Sequence, residues 1–260
     1  IDQALEHSEE YVRAKQQKIS TIENMLNSRG VTPLQQYHIY RQLFIEYQPF
    51  QFDKAKETLE RQLGIARQMA SDSLLHCTML DMAMLHTTAG FYLEADEIFA
   101  QIDTASLTLD QKVYWYDARQ KFLHDYQEYV TTSSIEVPDA SQITRYQDRI
   151  LEITSDDIPL NRHIRILRII ESRDFEKAYE ENMAFIASLD KTSRDYAVQT
   201  YWQGYICENL DRTEELIKWW TESALCDIQG AIKDNASLCS IAIKLTDPQD
   251  TDRAFKYISI

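Results

Sequence analysis

The chain has 260 residues, with 42 acidic against 27 basic side chains and a formal net charge of −15, a balance that disfavours duplex DNA and anionic membranes as partners because both are dense in negative charge. Five glycines and five prolines are each about 2% of the chain against roughly 7% and 5% in ordinary usage, too few turn residues for a sandwich, a barrel or a glycine-looped nucleotide fold. An apolar fraction of 44%, with 15 Tyr, 9 Phe and 4 Trp, excludes intrinsic disorder and leaves an acidic, all-helical protein.

Leu5, Val12, Ile19 and Leu26 recur at every seventh position with Ile22 and Met25 beside them, which is the stripe of one amphipathic helix. Ser28-Arg29-Gly30 stops it, so residues 1–30 read as an N-terminal capping helix. After Thr32-Pro33 the pattern restarts through Leu34, Tyr37, Ile39, Tyr40, Leu43, Phe44 and Tyr47, and Pro49 breaks it. Asp53 can cap the next helix, which carries Ala55, Leu59, Leu63, Ile65, Ala66 and Met69. Residues 73–88 and 92–102 then form a pair joined at Ala89-Gly90. Helices over 108–130 and 139–153 come next, separated by Thr131-Thr132-Ser133-Ser134 and Pro138. Further pairs are 160–171 with 174–188, 192–208 with 212–227, and 232–245 with 250–258. Connections this short join antiparallel neighbours. The Ser/Thr stretch near 131–141 is the best candidate for a boundary or a mobile loop.

Small or apolar residues near the starts of the second helices fall at Ala55, Ala95, Ala178, Leu216 and Ala254, with separations of 40, 83, 38 and 38. A recurring helix pair of this length means a stacked array in which each pair buries its apolar face against its neighbours. The expected architecture is therefore an all-α, right-handed superhelix of antiparallel helix pairs in a single domain over 1–260. About six units fill 34–260, helix exceeds roughly 70% of residues, and strand is essentially absent.

Residues for chemistry do not assemble in the sequence. His7, His38, His76, His86, His124 and His163 form no i, i+4 pair and no His-Glu-x-x-His. No nucleophile elbow, phosphate loop or dinucleotide fingerprint occurs. Cys77, Cys207, Cys226 and Cys239 have neither zinc nor disulfide-framework spacing, so all four are expected to be free thiols. The reading is a non-enzyme with no catalytic residues, no metal and no cofactor. No apolar run approaches the ~18 residues needed to span a bilayer. Because the numbered chain opens at Ile1 rather than Met, it reads as a processed or trimmed fragment, and any anchor would lie outside it.

Met82-Ala83-Met84, then Ala89-Gly90-Phe91-Tyr92-Leu93-Glu94-Ala95-Asp96-Glu97-Ile98-Phe99, resemble a tetratricopeptide repeat. Asp174-Phe175-Glu176-Lys177-Ala178, Gly204-Tyr205 with Asp211–Leu216 and Trp220, and Asp252–Tyr257 resemble further copies. A narrower resemblance runs through Leu5-Glu6, Tyr11–Lys15, Tyr40–Tyr47, Phe50–Ala55, Ser223–Ile228, Ala231–Leu238 and Arg253–Ile258. These look like the exported sensor region of Bacteroides-type membrane-anchored transcriptional regulators. The resemblance implies a periplasmic location, a membrane link only through a segment outside this chain, and no direct nucleic-acid contact by the fragment. It implies a protein or peptide partner and leaves room for a homodimer. An exported carbohydrate- or nutrient-binding helical-repeat protein is the alternative reading.

In the tetratricopeptide pattern, four first-helix positions face the inner groove. With Leu43 at the eighth position these are Tyr37, Tyr40, Phe44 and Tyr47; a later unit brings Tyr201 and Tyr205 to a similar stripe. Tyrosine supplies rigid apolar area plus one hydroxyl, which suits peptide recognition. The competing role for these rings is packing between helices. Tyr114, Trp115 and Tyr116 sit on an intervening first helix. Of the adjacent Trp219 and Trp220, one at most is expected to point inward, with Trp220 favoured for the core.

Overall fold

The computed structural model describes residues 1–130, 139, 141–245 and 248–259. Helix accounts for 78% of the described residues, and no strand occurs among them. Two helices lead: α1 (Asp2–Glu6) and α2 (Ser8–Met25). Six pairs come after them: α3 (Pro33–Tyr47) with α4 (Phe52–Gln68), α5 (Asp72–Thr88) with α6 (Tyr92–Ala100), α7 (Leu109–Val130) with α8 (Ser141–Ile153), α9 (Pro159–Glu171) with α10 (Phe175–Ile186), α11 (Arg194–Asn209) with α12 (Thr213–Gln229), and α13 (Ala236–Lys244) with α14 (Thr251–Ile258). The fold is all-α and of the tetratricopeptide-like, helix-pair kind. Most of the Ser/Thr segment near 131–141 lies outside the described residues.

Local chemistry explains where the helices start and stop. Thr32 and Gln35 form a reciprocal capping box with Pro33 at the first helical position, and Thr108 with Gln111 repeats the exchange at 3.0 and 3.3 Å. Ser71 and Ser193 cap α5 and α11. Asp53 does not cap α4 as expected: that helix begins at Phe52 behind Gln51, and Asp53 falls in its first turn, where its charge complements the helix dipole. Three of the turns between paired helices close by one arrangement. Phe91 N–H donates to the His86 carbonyl at 2.9 Å, Asp174 N–H to Ile169 at 3.3 Å, and Arg212 N–H to Cys207 at 2.9 Å. The residue before each donor is left-handed: Gly90, Arg173 and Asp211. This is the helix-ending motif normally served by glycine, which explains how a chain with five glycines turns so often.

Backbone proximity divides the chain into two compact units, residues 18–161 and residues 1–17 with 162–260. In the first of these, small residues let helices approach. Ala83, Ala95 and Ala118 are fully buried with Leu80, Phe99, Phe122, Leu123 and Ile143. Equivalent helices of successive pairs are also pinned by polar contacts. Arg41 Nη1 donates to Asp81 Oδ2 at 2.7 Å, Tyr114 Oη donates to Asp81 Oδ1 at 2.9 Å, and Gln111 Nε2 reaches the Ser73 carbonyl at 2.8 Å. Asp81 is buried, and burial raises its pKa against the opposing pull of Arg41 and Tyr114.

In the unit of residues 1–17 and 162–260, one core joins Ile186, Tyr196, Cys207, Leu216, Trp219, Trp220, Leu238, Ile241 and Tyr257, and Leu5 of α1 belongs to it. The expected single N-terminal helix is thus two, broken at His7. α1 packs on α12, and Asp2 pairs with Arg253 at 3.3 Å and Lys256 at 3.6 Å while accepting from Tyr257 Oη at 3.2 Å. Both Trp219 and Trp220 are buried, against the expectation of one. Adjacent helical side chains are about 100° apart, and an apolar face at least that wide accommodates both. Lys218 covers the Trp219 ring at 4.9 Å. The four cysteines are free, and burial pushes the Cys207 thiol up to about 11.

The start of α11 is tied to the end of α12 and to the α12–α13 connection by one arginine holding two carboxylates. Arg194 Nη1 donates to Asp227 Oδ1 and Nη2 to Asp234 Oδ2, each at 2.6 Å. Asp227 is buried, and desolvation, helped by the Asp234 charge, pushes its pKa up to about 7 despite Arg194. Between the ordinary carboxylate pKa and that raised value the folded chain holds a proton the unfolded chain has released. Stability therefore falls as pH rises through the window. From about pH 4.5 to pH 8, Asp227→Asn should gain on the wild type by about 3 kcal/mol in urea denaturation. A difference that stays flat with pH would show Asp227 ionised throughout.

Candidate partner-binding surfaces

The predicted α3 stripe is real as a stripe but faces the interior. Tyr37, Phe44 and Tyr47 are only 2%, 4% and 7% exposed. Tyr37 Oη sits 2.9 Å from Thr78 Oγ1 and 3.2 Å from the Leu74 carbonyl on α5, and the Tyr37 carbonyl accepts from Gln62 Nε2 on α4; burial raises the phenol's pKa. Tyr37 and Phe44 are therefore packing residues, and the groove role expected for them is corrected. The cause is that this face of α3 meets α4 and α5, while Leu34, His38, Gln42 and Ile45 take the solvent side.

Tyr40 and Tyr47 do converge. They line a cleft of about 240 Å³ between the end of α2, α3 and α4, together with Glu23, Leu43, Lys54 and Arg61. Tyr47 Oη donates to Glu23 Oε1 at 2.8 Å, and burial with this carboxylate pushes its pKa up to about 12, so it stays a neutral donor. Lys54 and Arg61 both lean on Glu57, at 3.1 and 4.0 Å. The cleft therefore offers one half-buried ring, one ring edge, and charges of both signs.

In the unit of residues 1–17 and 162–260, Tyr201 and Tyr205 are half-buried. Sequence reasoning missed the residue that unites them: Trp202 stands edge-on to Tyr201 at 6.0 Å and to Tyr205 at 5.6 Å, and Tyr205 meets Phe175 at 6.5 Å. The Tyr201 carbonyl accepts from Trp220 Nε1 at 3.2 Å. A second group missed in part is Trp115, Tyr116 and Tyr146. Trp115 stands edge-on to Tyr146 at 5.4 Å, and Trp115 and Tyr116 border a cavity of about 430 Å³ with Lys112 and Thr104. The signal available for these groups is the density of aromatics on first helices.

Among the described residues, no group of three or more His, Cys, Asp and Glu side chains is arranged to hold a metal. No helix there is long and apolar enough to cross a membrane. Stacked helix pairs with half-buried aromatic recesses are the build of an interaction or scaffold domain. Comparison with curated proteins finds no match. The family described as the SusR N-terminal TPR domain matches residues 5–260, and by that match over nearly its whole length the chain belongs to the SusR N-terminal TPR domain family.

Proposed function

We propose that this chain is the non-catalytic, partner-recognising input module of a larger transcriptional regulator, exported to the periplasm and joined to its membrane and DNA-binding parts through segments outside these residues. The observation that carries the reading is the match over residues 5–260 to a family defined as an N-terminal TPR domain, together with the regulator-like stretches of sequence from Leu5 to Ile258. The partner is a protein or peptide. Tyr40, with Tyr47 beside it, and the Tyr201–Trp202–Tyr205 group are its points of contact, since half-buried aromatics give the most binding energy per side chain.

The test is affinity capture from periplasmic extract by the 260-residue chain, identification of what elutes, and titration of that partner. Tyr40→Ala combined with Tyr201→Ala should weaken its binding at least about tenfold while circular dichroism is unchanged. Unfolding of the double variant, or unaltered affinity, would remove these tyrosines from the recognition surface. In the whole regulator, removal of this domain should abolish the transcriptional response to the inducing condition; a retained response would end the input-module reading.

A further inference from the structure

One edge of the unit of residues 18–161 carries exposed apolar side chains at the start of a helix. The residue preceding the second helix of a pair is Asp174 in one case, whose side chain caps α10 by accepting from Lys177 N–H at 3.3 Å. At the same place before α6 stands Phe91, which provides no side-chain cap, as Gln51 and Arg212 provide none before α4 and α12, and is the aromatic one of the three. Phe91 is 44% exposed and Leu93, two residues on, is 72% exposed.

Aromatic rings support this edge from beneath. Phe91 lies 5.3 Å from Phe52 and 5.9 Å from His86, and Phe52 lies 6.0 Å from His86. Next to Phe91, Tyr92 meets Tyr126 at 5.4 Å and Phe122 at 6.1 Å. His86 is buried, and neither ring nitrogen has a hydrogen-bond partner among the described residues; desolvation holds its pKa low, with Lys56 acting in the same direction and Glu94 against. The imidazole is thus neutral beneath the Phe91 ring. Around it the charge is acidic. α6 carries Glu94, Asp96 and Glu97 and no basic residue, and Asp125 and Glu128 face Tyr92 from α7. Arg119 answers Asp96 at 2.8 Å and Lys121 answers Asp125 at 2.7 Å; Glu94 and Glu97 are exposed beside Leu93.

We propose that Phe91 and Leu93, rimmed by Glu94 and Glu97, form a docking surface for a cationic peptide segment that carries apolar side chains. The apolar side chains cover Leu93 and the face of Phe91; the basic ones meet the α6 carboxylates or stack on the Phe91 ring. The proposal rests on the protein- or peptide-binding reading of the chain and names the chemistry of the partner.

A fluorescein-labelled short peptide of alternating lysine and leucine is the probe, titrated against the 260-residue chain by anisotropy, with the glutamate-for-lysine peptide as control. Phe91→Ser with Leu93→Gln supplies a good cap at position 91, so α6 persists, and should weaken binding of the lysine peptide at least about tenfold. Glu94→Gln with Glu97→Gln should weaken it too and flatten its salt dependence. Wild-type affinity in the Phe91/Leu93 variant, equal binding of the glutamate peptide, or no binding of either peptide overturns the proposal. Binding lost only with Tyr40→Ala also overturns it, by moving recognition to the α2–α3–α4 cleft, and leaves peptide recognition itself standing.

Discussion

Replacing Ala95 with aspartate should lower the unfolding free energy by about 4 kcal/mol at neutral pH. Ala95 is 0% exposed, near the start of α6 against Leu80, Ala83, Phe99 and Ala118. The new side chain must either keep a charge in an apolar site or take up a proton against a pKa raised by several units, and each unit costs about 1.4 kcal/mol. It also adds atoms where packing is already complete. Because protonation relieves the charge, the loss should shrink toward acid pH. Urea denaturation followed by circular dichroism checks both points, with Ala95→Ser separating size from charge. A loss below about 1 kcal/mol would mean that α6 can shift away from α5 and α7 and that the small-residue register does not set the helix spacing.

Gly204→Ala should cost about 3 kcal/mol, although alanine is the better helix former by about 1 kcal/mol. Gly204 lies inside α11, and a Cβ there would fall 2.9 Å from Trp220 Cγ and closer still to Cδ1 and Nε1. Trp220 cannot swing aside cheaply: it is buried on α12, and its indole N–H is committed to the Tyr201 carbonyl. Gly64→Ala is the matched control. It too lies within a helix, α4, but nothing stands within 4 Å of its Cβ position, so it should stabilise by up to about 1 kcal/mol. If both substitutions stabilise, α11 and α12 are not in the close contact described.

The helices were readable because their period and punctuation agree. The 73–88 prediction meets an observed Asp72–Thr88, and 92–102 meets Tyr92–Ala100, since Ser71 and Gly90 mark both ends of the first in sequence. The spacing of Ala55, Ala95 and Ala178 was equally plain, and all three are fully buried. Which way the α3 tyrosines point was not legible. A stripe at i, i+3, i+7 and i+10 fixes a shared face and nothing more; whether that face meets solvent depends on where α4 and α5 lie, a tertiary fact. The Tyr201–Trp202–Tyr205 group shows the reverse, with one member invisible to a register argument because it sits off the stripe.

The attachment of α1 has a consequence for the order in which the chain acquires its structure. Asp2 and Leu5 join a core whose other members extend to Tyr257, a separation of 255 residues. Residues 18–161 form a contiguous unit and can collapse through contacts of short sequence separation wherever the chain folds. Leu5 has its core only once α12 and α14 are in place, and closing so long a loop carries an entropy cost before any contact repays it. Of these 260 residues, the first in sequence are thus among the last to find their place, and apolar surface left uncovered in that interval is open to aggregation.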